Sequence, residues 1–180
     1  MKRIVLIALG VAAFSIGAFA QTPDIDTPVL ALPQNLRGDA GVVKWKPDHT
    51  YDTLKPSKNG LVCYDRSGFP LQQPFSLECT AEGNLPRVKQ NMEAEALGDK
   101  AKSEAKLQEQ EKAGTRVKPV FGSVWYHLMG MSKEMARTHM TIAVPGATQA
   151  SIGLPENGRG GGVWIMNAGT TTAHLMTPGE

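Results

Sequence analysis

The sequence predicts an α+β fold with a mostly antiparallel sheet, and the order of its segments is the main reason. Strand-like apolar runs come first, a helical stretch follows at about 85–113, and further strand-like runs fill the last third of the chain. In a doubly wound α/β protein, strands and helices would alternate instead. Because the two helices stand together, we expect them on one flank of the sheet.

Short apolar runs bounded by turn residues predict the strands that precede the helices. The first run covers residues 42–45, and the second, 61–64, follows Asn59-Gly60, a dipeptide typical of tight turns. Two other stretches, 48–60 and 70–79, contain turn residues or prolines and are expected to be irregular.

The helical stretch divides into two helices of different character. Apolar side chains recur at helical spacing in the first, at Leu85, Val88 and Met92, so they share one face. Asp99 is expected to cap the second helix, which ends before Gly114. Its residues are mostly Lys, Glu, Gln and Ala. We interpret it as a solvated helix, with a surface for a partner as the alternative.

The last third of the chain contains strand-like runs separated by glycine, proline and other turn residues. We predict these strands at four places, namely 123–129, 140–144, 162–166 and 171–176.

The first twenty residues have the pattern of a secretory signal peptide. A basic start is followed by an apolar run and by Ala18-Phe19-Ala20, which predicts cleavage between Ala20 and Gln21. Export to the periplasm or the cell exterior is therefore expected. Residues 21–40 contain three prolines and predict a flexible N-terminal arm. Residues 41–180 then form a single globular α+β domain.

Removal of the signal peptide changes the charge balance. The chain has 19 basic and 17 acidic residues, and Lys2 and Arg3 are the charged residues of the signal, so 17 of each remain. A chain without basic excess is a poor partner for nucleic acid. No apolar stretch of about 18 residues follows residue 20, so we expect no stable membrane insertion after cleavage.

The chain contains two cysteines, Cys63 and Cys79. In an oxidising compartment they are expected to form one disulfide. A loop of about 15 residues closed in this way contributes ~3 kcal/mol in the chain-entropy description.

Three histidines lie close to methionines, which suggests a metal site. On a strand, residues two apart share a face, so each histidine is considered with its neighbour. Imidazole and thioether ligands suit copper, and imidazole also suits zinc. The candidate ligands are His127, Met129, His139, Met140, His174 and Met176. The alternative is that these methionines fill the core and the histidines form ordinary hydrogen bonds.

No recognised catalytic motif supports an enzyme. No serine stands in a G-x-S-x-G turn, and the spacing of the histidines selects no triad, so we name no catalytic residue. A hydrolase with His139 or His174 as general base remains an alternative, and it requires an acid or a serine within about 3 Å of the imidazole.

Several short segments resemble a group of uncharacterised secreted bacterial proteins of about this length. These segments are Asn59-Gly60, Cys63-Tyr64-Asp65, Tyr126-x-Leu128 and Ala173-His174-x-Met176-x-Pro178, in that order. The resemblance covers residues 41–178. The chain departs from the group at Thr138, where a proline usually precedes the histidine, and at Thr171-Thr172. The resemblance implies a secreted single domain and directs attention to His139 and His174, but it implies no reaction.

We therefore expect an exported domain that binds a small ligand or a protein partner without catalysis and carries no cofactor. The alternatives are periplasmic binding of copper or zinc, and hydrolysis with a histidine base.

Overall fold

The computed structural model describes residues 24–177. The predicted signal peptide, its cleavage site at Ala20 and Gln21, the first residues of the expected arm and the last three residues of the chain lie outside the described residues.

Within residues 24–177, eight strands form a single sheet. In chain order they are β1 (Gly41–Trp45), β2 (Tyr51–Lys55), β3 (Leu61–Asp65), β4 (Phe75–Ala81), β5 (Val124–Gly130), β6 (Arg137–Ala143), β7 (Trp164–Met166) and β8 (His174–Met176). Across the sheet the order is β2-β1-β3-β4-β5-β6-β8-β7. Every neighbouring pair is antiparallel except β1 and β3. The predicted α+β class with a mostly antiparallel sheet is confirmed.

The helices of the described residues include two long ones and two of a single turn. They are α1 (Gln34–Arg37), α2 (Leu85–Glu95), α3 (Lys100–Lys112) and α4 (Gln149–Ile152). Short 3-10 turns occur at Pro28–Ala31, Glu82–Asn84 and Gly158–Gly160.

The two helices expected at 85–113 correspond to α2 and α3. Asp99 caps α3, since its side chain accepts a hydrogen bond from the backbone N–H of Lys102 at 2.9 Å. Gly114, just beyond the last turn, has a φ of +69°, a conformation that glycine adopts without steric cost.

Two strands lie where irregular structure was expected, at β2 and β4. The prolines that suggested irregular structure at 70–79 are placed before β4 and do not interrupt its hydrogen bonds. Inside β4, buried residues occupy both faces of a central strand, so the alternating pattern of a half-buried strand is absent. Strand β2 pairs with β1 at the sheet edge and is largely exposed, so it has little apolar signal.

The sheet has an apolar core on each face. On the helix face, Leu85, Val88 and Met92 of α2 pack on Val43 and Tyr64 of the sheet. On the opposite face, called here the N-terminal face, the segment at 28–32 packs on sheet residues that include both cysteines. A smaller core supports β7 and β8 at one end of the molecule and contains Val144, Ala147, Ile165 and Ala173.

The expectation of a flexible N-terminal arm over 21–40 is wrong for the part that packs on this face. Val29, Ala31 and Leu32 are buried there, and Leu32 is 2% exposed. Pro28 starts the 3-10 turn, a position that needs no backbone donor, so the prolines limit the length of the helix without preventing packing.

The predicted disulfide is confirmed. Cys63 of β3 and Cys79 of β4 lie directly opposite each other in the antiparallel register, with their Cα atoms 4.1 Å apart. Both cysteines are fully buried on the N-terminal face. No helix among residues 24–177 is long and apolar enough to cross a membrane.

Candidate functional site

A polar cleft of about 440 Å³ opens on the helix face of the sheet. The helix face of β4, β5, β6 and β8 provides one wall, and α2, Leu107 of α3 and residues 116–119 provide the other. This volume is typical of sites that hold a small molecule.

Three of the four histidines line this cleft because the strand register places them on one face. His127 of β5 lies directly opposite His139 of β6, with the ring centroids 6.0 Å apart. His174 of β8 lies opposite Ala143 of β6, which faces the same side as His139. Its Nδ1 lies 2.7 Å from the carbonyl oxygen of Thr172, so an Nδ1–H can donate there while Nε2 remains available.

The methionines of the predicted metal site do not all join the histidines. Met129 lines the cleft. Met140 is paired with Tyr126 and therefore lies on the opposite face of β6 from His139. Met176 shares the face of His174 but is not part of the cleft wall. Among residues 24–177, no three His, Cys, Asp or Glu side chains stand in an arrangement that could hold a metal ion.

A buried carboxylate, Glu78, lies beneath the histidines. The hydroxyl of the fully buried Tyr64 donates to its Oε1 at 2.5 Å. Nη1 of Arg66 lies 3.5 Å from its Oε2, and Nδ1 of His127 lies 3.7 Å from the same oxygen. Burial, and then the charge of Glu78, raise the pKa of Tyr64 well above its usual value, so the phenol remains a donor.

Arg66 connects Glu78 to a second carboxylate, Glu95 of α2. It donates through Nη2 to Oε2 of Glu95, and Nε2 of Gln72 donates to the same oxygen at 2.8 Å. Burial raises the pKa of Glu95, although Arg66 and Gln72 oppose the shift. One guanidinium therefore faces two carboxylates at this end of the cleft.

The surroundings of His127 favour its neutral form. Burial lowers its pKa, and the neighbouring histidines and Arg66 act in the same direction, while Glu78 opposes them. A neutral imidazole can donate through one ring nitrogen and accept through the other.

Two further arginines stand at the other end of the cleft, and their partners are neutral. Arg87 of α2 donates to the carbonyl oxygen of Val117 and to the hydroxyls of Thr171 and Thr172. Burial lowers the pKa of Arg87, against the attraction of Glu111.

Arg116, which follows α3, donates to side-chain amide oxygens of Gln90 and Asn91. Its Nε is buried and has no hydrogen-bond partner. Burial and the nearby charge of Arg87 lower the pKa of Arg116 to about 10.

The hydrolase alternative needs an acid or a hydroxyl beside His139 or His174. Within the described part of the chain, neither histidine has a carboxylate oxygen within 4.0 Å, and the near partner of His174 is a backbone carbonyl. His127 is the histidine nearest to a carboxylate, at 3.7 Å from Glu78. That distance is longer than a hydrogen bond.

The sequence pointed to the histidines but not to the polar and charged groups near them, which are Tyr64, Arg66, Glu78, Arg87, Glu95 and Arg116. Glu78 lies in a strand that was expected to be irregular. Arg87 stands between the apolar residues Leu85 and Val88, which could have indicated a guanidinium near the core. Nothing local in the sequence distinguishes Arg116 from the other basic residues around it.

Comparison with protein-family models, curated proteins and solved structures found no match to this chain.

Proposed function

We propose that this protein is an exported binding protein that holds a small ligand in the cleft without catalysing a reaction. The observation that carries the proposal is a cleft of about 440 Å³ walled by buried arginine and glutamate side chains and by three histidines that are more accessible. Buried polar groups are costly unless they have partners, so their concentration in a concave site favours recognition of a polar molecule. Export is supported by the signal-peptide pattern, with which the disulfide is compatible.

A bulky substitution inside the cleft tests ligand binding. Thr141 lines the cleft, so T141W is expected to fill it. A fragment library with neutral, cationic and anionic members is titrated into the protein, and backbone amide shifts are followed by NMR. We expect some fragments to shift the resonances of cleft residues, and T141W to weaken their binding at least about tenfold.

Thr138 provides the matched control, because it lies on the same strand, faces the other side of the sheet and is exposed. T138W should bind the fragments as the wild type does. If no fragment perturbs the cleft, or if T141W and T138W bind alike, the proposal fails. Turnover of an ester, phosphate or peptide substrate that is lost in H174A would instead support the hydrolase alternative.

Copper or zinc binding is a second candidate, and the position of the three histidines favours it. His127 and His139 are direct neighbours across two strands, and His174 faces the same cleft. Bonds of ~2.0–2.1 Å to one ion are needed, and the described side chains do not stand in that arrangement, so this candidate requires the imidazoles to move on binding.

The metal candidate is tested by titrating Cu²⁺ and Zn²⁺ into the protein in a calorimeter. If the cleft binds the ion, H139A should lose one equivalent of binding. H49A should retain it, because His49 lies outside this cleft. Equal binding by the two variants would exclude His139 as a ligand.

A further inference from the structure

We propose that the ligand carries a carboxylate and that Arg87 and Arg116 are the groups that bind it. This inference rests on the proposed function, since it specifies the chemistry of a ligand in the same cleft. It concerns the end of the cleft that lies away from Arg66 and the two carboxylates that Arg66 contacts.

Both guanidinium groups are buried, but neither has an acidic partner. Arg87 is 4% exposed and Arg116 is 6% exposed. All their hydrogen bonds go to carbonyl, amide or hydroxyl oxygens. In the part of the chain that the structure describes, neither lies within 4.0 Å of a carboxylate oxygen. Buried charges in proteins are normally paired, so two buried guanidinium groups with neutral partners favour an anionic ligand.

Arg66, in the same cleft, has acidic partners, although its Nε, like that of Arg116, is buried without a hydrogen-bond partner among the described residues. It contacts the carboxylates of both Glu78 and Glu95. The chain therefore pairs the arginine at one end of the cleft with two acids and leaves the two at the other end without one.

The neutral partners also leave donors free. A guanidinium has five N–H groups. Arg87 makes three hydrogen bonds to the protein, and Arg116 makes two. The Nε of Arg116 is buried without a partner, so this side chain keeps unused hydrogen-bonding capacity inside the structure.

The charge near the two arginines matches a single negative charge. Glu111 of α3 acts on both arginines, and Glu95 of α2 acts in addition on Arg116. Glu111 is held by Thr171, whose backbone N–H and hydroxyl donate to it at 2.6 Å and 2.5 Å. Glu95 is already paired with Arg66, so the two guanidinium groups share one carboxylate, Glu111, and one positive charge is left on them. A monoanion completes the balance, whereas a phosphate dianion would exceed it.

The remaining wall indicates the rest of the ligand. The cleft is also lined by apolar side chains, namely Leu107, Pro119, Trp125 and Met129. A flat apolar or aromatic body would contact them while its carboxylate reached the guanidinium groups, with which carboxylates form paired hydrogen bonds. The expected ligand class is therefore a small organic acid with an apolar body.

Benzoate is the probe, benzamide is its neutral counterpart, and phenyl phosphate is the dianionic arm. Dissociation constants are measured by NMR titration of the wild-type protein at constant ionic strength. We expect benzoate to bind at least about tenfold more tightly than benzamide, because charge-assisted hydrogen bonds are stronger than neutral ones. Phenyl phosphate should bind more weakly than benzoate.

Variants assign the preference to the two arginines. R116Q and R87Q should each remove the preference for benzoate over benzamide, and R116K should retain part of it. The control is R37Q, because Arg37 also donates to backbone carbonyls but does so on the N-terminal face. It should leave the preference unchanged. The R116K variant and the wild-type comparison remain informative if R116Q does not fold.

Several outcomes would overturn the inference. Equal binding of benzoate and benzamide, or a preference that persists in both R116Q and R87Q, contradicts it. Tighter binding of phenyl phosphate would replace the carboxylate by a phosphate. If neutral fragments perturb the cleft and benzoate does not, this inference fails while the proposed function stands. If no fragment perturbs the cleft, the proposed function itself fails.

Discussion

Glu78 shows at the scale of single residues how a charge is kept inside this fold. Its carboxylate is 4% exposed and receives the hydroxyl of Tyr64 on one oxygen and Arg66 on the other. A buried carboxylate that loses a donor retains its desolvation cost without the bond that offsets it.

We therefore predict that Y64F lowers the free energy of unfolding by about 1.5–3 kcal/mol, as expected for a hydrogen bond to a charged group. Urea denaturation measures the change. Y51F is the matched control, since Tyr51 is 42% exposed on the edge strand, and it should change stability by less than about 0.5 kcal/mol. Similar losses of unfolding free energy in the two variants would show that the hydrogen bond from Tyr64 to Glu78 does not stabilise the fold.

The lowered pKa of His127 predicts a pH dependence of stability. Burial holds the pKa in the folded protein below its usual value of 6.5. The unfolded chain therefore binds more protons than the folded one between these two values. The contribution of His127 is fully present above about pH 6.5 and is lost as the pH falls through the folded pKa.

Wild-type stability, measured by urea denaturation, should thus fall between pH 7 and pH 5 by more than that of H127Q. H49Q, altered outside the cleft, should follow the wild type. Glu78, Arg66, His139 and His174 face His127 and are unchanged in both variants. The raised pKa of Glu95 makes a contribution of opposite sign, which is also common to all three proteins. Identical pH profiles for wild type and H127Q would contradict the assignment.

At this scale, the sequence indicated the histidines but not their surroundings. Residue types and strand spacing were enough to direct attention to His127, His139 and His174. The same spacing grouped Met140 with His139 as its neighbour, although adjacent strand residues face opposite sides. The arginine pair comes from a helix and a later loop, and only the packing of residues 116–117 against α2 brings it together.

Among the elements, the N-terminal segment differs most from its prediction. Prolines suggested mobility, but proline limits only the backbone, and the apolar residues between the prolines decide whether a segment packs. Leu32 is almost fully buried against the sheet, whereas Ile25 in the same segment is 36% exposed.

We predict that L32A costs about 2–5 kcal/mol of unfolding free energy, the usual range for a leucine removed from a core. I25A should change it by less than about 0.5 kcal/mol. Urea denaturation of the two variants compares them directly. If L32A were as stable as I25A, the segment would be a flexible arm after all.

The elements that sequence analysis recovered are those with a strong local signal. Helices α2 and α3 have an apolar row or an N-cap, and the strands with continuous apolar runs were located to within a few residues. Strand β2 and strand β4 were missed because one is exposed and the other is buried on both faces. In both cases the neighbouring strands, and not the local sequence, determine the conformation.

At the scale of the whole molecule, the end of the sheet formed by β7 and β8 has fewer pairing contacts to the other strands than the rest of the sheet has. Strand β8 is paired with β6 at only two positions, Ile142 with Leu175 and Ala143 with His174. Arg87 connects α2 to this end of the sheet, because it donates hydrogen bonds to the two threonines just before β8. Local opening requires less free energy where fewer contacts must break.

Hydrogen exchange should therefore be faster at 164–176 than at 61–81 in the wild type. R87Q should accelerate exchange at 171–176 further and leave 61–81 unchanged. R37Q, altered on the other face, should leave 164–176 as it is in the wild type. Uniform exchange across the sheet, or an effect of R87Q spread over all strands, would contradict independent opening of β7 and β8.

The fold class followed from the order of segments along the chain, since clustered helices between strands favour an antiparallel sheet. The position of the cleft could not be predicted from that order, because it depends on which strands become neighbours in the sheet. Strand β8 lies between β6 and β7, and this order brings His174 beside the wall that contains His127 and His139.

The buried disulfide has a consequence for how the chain reaches its final state. Sγ of Cys79 lies 3.5 Å from the carbonyl oxygen of Pro28, and the N-terminal segment covers both sulfur atoms. An oxidant needs access to the thiols, so the bond must form before this segment docks, or the segment must lift to admit it. Once docked, the segment shields the bond from reductants in the same way. We therefore expect reduction of the bond in the folded protein to be slow until the N-terminal segment is displaced.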